Sequence, residues 1–152
     1  MSQGSKGSGK RLVADARKAV ADCAGLNVRL AARRITRFLD ARLADTGLTL
    51  AQFGLMTRIA AARDDTIGAL AVQADLDPST LSRNLRALEQ AGLVEIAIVE
   101  KDLRRRAVWL TEQGARRLEA AMPDWQAAQA ALAKRIDPAR LRRLASAAEA
   151  LV

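Results

Sequence analysis

The chain has no histidine and no tyrosine, a single cysteine, and only two phenylalanines and two tryptophans among its 152 residues. Each scarcity removes a class of function. Without histidine the commonest zinc ligand and the usual general base are missing. With no tyrosine, no plausible paired carboxylates and one thiol, no catalytic set can be assembled, so no catalytic residue, metal or cofactor is expected. The lone Cys23 excludes an intramolecular disulfide framework. No apolar run is long enough to span a bilayer, and the opening MSQGSKGSGKR lacks the apolar core of a signal peptide. The expected setting is soluble and cytoplasmic, with no membrane partner.

What remains is rich in Ala and Leu. Half the residues are apolar, enough for a core built of Leu, Ile, Val and Ala, and Ala has the best helix propensity. A mainly α fold with a minor strand component follows, as one domain or as one subunit sharing part of its core with a copy of itself. The net charge of +8 suggests a nucleic-acid partner, but its distribution does not locate a site. Residues 1–43 carry 10 Lys/Arg against 3 Asp/Glu, residues 112–152 carry 7 against 5, and residues 44–111 carry 8 against 9.

Four regions emerge. Residues 1–10 are Gly, Ser and Lys rich and are expected to be a disordered tail. Their GSKGSGK resembles a phosphate-binding loop only superficially: Arg11 stands where Ser or Thr must bind the metal, and no strand precedes it. Residues 11–48 hold a helical pattern from about Val13 to Ala44, with Leu30, Ile35, Phe38, Leu39 and Leu43 at helical spacings. There Arg29, Arg33 and Arg37 repeat every four residues and form one basic stripe, either a solvated face or a row facing an anionic ligand.

Residues 49–111 contain the densest signals. TLAQ, Thr49–Gln52, is a capping box opening a helix with Phe53, Leu55, Met56 and Ile59. A short helix follows from near Thr66, with Ile67, Leu70 and Val72. Asp77 then caps the next helix and Pro78 occupies its first turn. That helix ends where Gly92 suits a left-handed residue and Leu93 can fold back on Leu88. Val94–Val99 and Arg105–Leu110 read as two strands joined by Glu100–Asp102, a hairpin tipped with Lys101, Arg104, Arg105 and Arg106. Residues 112–152 return to helix, with Leu118, Met122, Trp125 and Leu132 on one long element, Pro123 at a bend, and Asp137-Pro138 opening a last helix.

The helix from Pro78 divides sharply by composition. Leu81, Leu85 and Leu88 share one face, while Ser79, Ser82, Arg83, Arg86 and Gln90 cluster opposite, flanked by Thr80 and Asn84. Helix, short helix, capped helix and basic hairpin in that order make a winged helix-turn-helix, whose second helix enters the major groove of DNA. The leucines would hold the helix to its scaffold. Ser79, Thr80 and Ser82 could reach bases or phosphates, Arg83 and Arg86 could be bidentate to guanine, and Asn84 to adenine.

The segments LTLAQFGLM, TIGALAVQADLDPSTLSRNLRALEQAGLVE and KDLRRRAVWLTEQG, in this order and spacing, resemble the MarR family of bacterial transcriptional regulators. The resemblance runs from about Ala21 to Leu144, and MPDWQAAQ is similar to the family's long dimerisation helix. It implies a winged helix-turn-helix with N- and C-terminal dimerisation helices, acting as a homodimer on the two halves of a palindromic double-stranded DNA operator. It implies a repressor released by a small organic effector, often phenolic or an aromatic carboxylate, bound between the dimer helices and the winged domain. In the family's wing an Asp braces an Arg, matched here by Asp102 and Arg104. Leu103 replaces a customary Arg, and Ile96 and Ala97 also stand where Arg is frequent, so the basic charge falls on Arg104, Arg105 and Arg106.

Which signal such a protein would receive is less defined. Some relatives sense peroxide through an N-terminal cysteine supported by tyrosines, which this chain lacks. Cys23 therefore reads as a small buried hydrophobe, with redox sensing as an alternative. Arg29, Arg33 and Arg37 are the candidates for holding an organic anion. An architectural protein that binds DNA without sequence preference, and a winged domain serving protein contacts only, are the remaining alternatives.

Overall fold

The computed structural model describes residues 4–62, 66–99 and 102–151, with the side chains of residues 4–8, 99 and 102–105 left aside. The chain divides into two units, Met1–Phe38 and Leu39–Val152.

The first unit holds α1 (Gly4–Asp22) and most of α2 (Ala24–Leu43). Helix α1 begins inside the stretch whose composition suggested a disordered tail. Its Ala-rich second half favours helix, and extending a formed helix costs far less than starting one. The helical pattern is interrupted at Cys23, although Cys23 N–H still donates to Ala19 O at 3.0 Å and Asn27 N–H to Cys23 O at 3.1 Å. Cys23, whose residue type suggested burial, is exposed in the single chain. The reason is that none of residues 9–38 is buried: Leu30, Ile35 and Phe38 are half-buried, and Leu12, Val13, Val20, Leu26 and Val28 are all exposed. A unit without a core of its own has no interior to receive a thiol.

The second unit runs through the end of α2, a 3-10 turn (Ala44–Thr46), α3 (Leu50–Ala61), α4 (Ile67–Ala74), α5 (Pro78–Gln90), β1 (Val94–Val99), β2 (Asp102–Leu110), α6 (Glu112–Ala133) and α7 (Pro138–Glu149). Its core gathers Leu43, Phe53, Met56, Leu70, Leu81, Leu85, Leu88, Val94, Val108 and Leu118. Phe53 stacks on Trp125 with ring centroids 5.7 Å apart, so two of the four aromatics tie α3 to α6.

The boundaries have local causes. Thr49 accepts the Gln52 N–H while Gln52 reaches back to the Thr49 N–H, which completes the capping box of α3. Thr66 caps α4 through the Ala69 N–H. Asp75 ends α4 in the left-handed conformation (φ 49°), which a short polar side chain tolerates. Helix α5 closes as a Schellman motif: Gly92 (φ 70°) donates to Glu89 O and Leu93 to Leu88 O, each at 2.9 Å, with both leucines buried.

The hairpin pairs Val94 with Leu110 through Ile98 with Arg106, then shifts register so that Val99 faces Asp102. Asp102 thus belongs to β2 and not to the turn, because strand pairing reaches further than the apolar run. A bridge between Thr66 and Ala107 pins the start of α4 to the hairpin. Helix α6 continues across Pro123, and α7 has no buried residue.

Candidate nucleic-acid interface

The three leucines of α5 are at most 2% exposed. That burial fixes the rotation of the helix, because residues of one helical face go inward together. Ser79, Ser82, Arg83, Arg86 and Gln90, with Ala87, form one continuous outer surface. Ser79, Ser82, Arg83 and Arg86 are exposed, while Thr80 and Asn84 are half-buried at its margins. Arg83 and Arg86 make no ion pair among the described residues, which leaves both guanidiniums available.

The first turn of α5 carries a detail that residue types alone did not reveal. Asp77 Oδ1 accepts the Thr80 N–H at 2.9 Å and the Ser79 hydroxyl at 2.5 Å, and Oδ2 accepts the Thr80 hydroxyl at 2.7 Å. The Ser79 hydroxyl first, then the Thr80 hydroxyl and N–H, hold the Asp77 carboxyl well below the usual carboxylate range. An ionised carboxylate only accepts, so both hydroxyls must donate to it. Towards solvent they present lone pairs, which suit a base amino group but not a phosphate oxygen.

The wing is described in part. Lys101 lies outside the described residues, and the side chains of Asp102, Arg104 and Arg105, with the bracing of Arg104 by Asp102, lie outside the described side chains. Arg106 is exposed and stands opposite Ile98. Between α4, α5 and the hairpin runs an open groove of about 560 Å³, with Ile67, Leu81, Leu85 and Ile96 in its floor and Arg86, Glu89 and Arg106 among its polar groups. Sequence reasoning missed this groove. Its signal was Ile96 and Ala97, apolar residues where the family frequently carries Arg.

Arg29, Arg33 and Arg37 are exposed along α2, one row as their spacing required. Among the described residues no group of His, Cys, Asp or Glu is disposed to hold a metal, and no helix is long and apolar enough to cross a membrane.

The MarR family profile matches residues 46–105, from the 3-10 turn into the second strand. The transcriptional regulator MosR of M. tuberculosis, solved in complex with DNA, superposes with a TM-score of 0.77 at 33% identity, covering 86% of this chain and 98% of that one. The chain belongs to the MarR family. A second MosR structure agrees, with a TM-score of 0.74 and 32% identity over 87% of this chain and 99% of that one. A mutant of E. coli MarR complexed with operator DNA shares the fold at 24% identity, with a TM-score of 0.74 over 88% and 96% of the two chains. Curated protein sequences give no match. As in other MarR-family regulators, α4 and α5 are the helix-turn-helix and β1–β2 the wing.

Proposed function

We propose that this MarR-family regulator binds a palindromic operator as a homodimer in the cytoplasm and represses transcription until a small organic acid releases it. The observation that carries the DNA reading is the rotation of α5: its leucines are buried, and Ser79, Ser82, Arg83 and Arg86 form one outward surface. Arg83 and Arg86 would read bases, with Asn84 beside them. Lys101, Arg104, Arg105 and Arg106 of the wing would contact the backbone, Asp102 bracing Arg104. MosR and E. coli MarR have been captured on DNA, which supports the same partner here.

The dimer reading is supported by apolar side chains left at the surface of the terminal helices, among them Leu12 and Val20 on α1 and Leu144 on α7. The effector reading rests on the exposed row of Arg29, Arg33 and Arg37, which can pair with a carboxylate. A ligand that favours a half-site spacing the operator does not match is sufficient for release.

Selection of binding sites from random duplex DNA, at physiological salt, tests this reading. Enrichment of an inverted repeat with half-sites about one helical turn apart is expected. Binding without enrichment would favour an architectural protein whose affinity comes from phosphate contacts alone.

A further inference from the structure

Arg116 and Arg117 are neighbours on α6 with different surroundings. Arg116 is exposed and pairs with Glu112 one turn back. Arg117 is half-buried and makes no ion pair among the described residues. Its Nη1 donates to the carbonyl of Thr46, 71 residues away in sequence, at 3.1 Å.

The turn that receives this bond is itself fixed. The Thr46 hydroxyl donates to Leu43 O at 2.6 Å and accepts the Leu48 N–H at 3.2 Å. The Leu50 N–H at the start of α3 donates to the Asp40 carboxylate of α2 at 2.7 Å. Gly47 sits at φ 72°, and a Cβ there would lie 2.8 Å from Arg117 Nη1. Glycine at 47 therefore serves two ends: it takes the left-handed turn, and it leaves room for the guanidinium. A polar cavity of about 440 Å³, bordered by Asp45, Arg117 and Asp124, lies beside the contact.

This turn is where the chain leaves α2 and enters the winged helix-turn-helix. We propose that Arg117 is a positioning residue: its bond to Thr46 sets where the winged domain sits on α6, and hence the half-site spacing that the homodimer accepts. The inference rests on the homodimer reading above. Elements packed around one such contact hold discrete arrangements, so loosening it broadens the range of spacings the two wings can span.

The test uses the full chain and a selected operator, with half-sites moved closer or further apart one base pair at a time. Arg117→Met keeps the apolar stem and removes the donors, whereas Arg117→Lys keeps a donor for the Thr46 carbonyl. Wild-type protein should prefer one spacing. Arg117→Met should reduce that preference on the order of fivefold, the scale of one hydrogen bond, with affinity for an isolated half-site unchanged and the preference partly restored in Arg117→Lys. An unchanged profile in Arg117→Met, or an equal loss at every spacing, overturns the proposal. If Arg117→Met does not fold, Gly47→Ala displaces the same guanidinium, and a profile unchanged there overturns it too. Wild-type protein indifferent to spacing on a selected palindrome would instead overturn the homodimer reading.

Discussion

The Ser79 hydroxyl donates to Asp77 Oδ1 at 2.5 Å, which leaves its oxygen facing solvent as an acceptor. With its proton committed, Ser79 accepts but does not donate. In the major groove such a group suits adenine N6 or cytosine N4. Ser79→Ala should therefore relax base preference at one position of each half-site, leaving affinity for unrelated DNA and its salt dependence intact. Site selection with the variant checks this, and a uniform loss on all sequences would show a phosphate contact instead.

The same carboxylate makes stability depend on acid. Because the folded-state value of Asp77 is depressed, its contribution is fully present above the ordinary Asp range and fades as pH falls from there toward the depressed value. Melting temperatures measured from about pH 6 down to pH 2 should fall more steeply for wild type than for Asp77→Asn. Asn still caps the helix but carries no charge, so wild type should melt higher near neutral pH and the two should converge as the carboxylate is protonated.

Arg83→Ala and Arg86→Ala should each weaken binding to a selected operator by about 1–3 kcal/mol and blur its base preference. Arg106→Ala should weaken specific and unrelated DNA more nearly alike and lower the salt slope. Titrations at two salt concentrations separate the outcomes. If all three variants changed only non-specific binding, α5 would not be in the groove.

Gly114 should not tolerate a side chain. A Cβ there would lie 1.9 Å from the carbonyl oxygen of Leu93, and backbone cannot swing aside as a flexible side chain can. Gly114→Ala should cost about 3 kcal/mol, read by denaturant unfolding. Gly68→Ala, with nothing within 4 Å of the added carbon, should instead stabilise α4 by about 0.5–1 kcal/mol.

Leu144 is 51% exposed on a helix that buries nothing. If α7 meets a second copy, Leu144→Glu should shift sedimentation toward a monomer and weaken operator binding with it. A dimer unaffected by the charge would remove α7 from the interface.

Much of the winged domain was legible because its signals are local. A cap needs only its own next three residues, so Thr49, Thr66, Asp77 and Thr111 each marked or could have marked a helix start. The left-handed Gly92 and the buried Leu88–Leu93 pair follow from one short stretch, and the inward leucines of α5 from their spacing. These features fixed which face of α5 turns outward before any packing was known.

Other features depend on residues distant in the chain. Nothing near Gly114 announces the Leu93 carbonyl, and nothing near Arg117 announces Thr46. Ile96 and Ala97 looked like missing wing charge until the hairpin folded toward α5 and made them part of a groove. Cys23 looked buried by type, yet its unit has no interior to bury it in. The sequence alone therefore determined the helices of the winged domain, most of their caps and the polar face of α5, since these rest on contacts within a few residues. Only the tertiary structure decided where a guanidinium finds its carbonyl and which glycine admits no side chain. Those depend on distances between segments that no local pattern encodes.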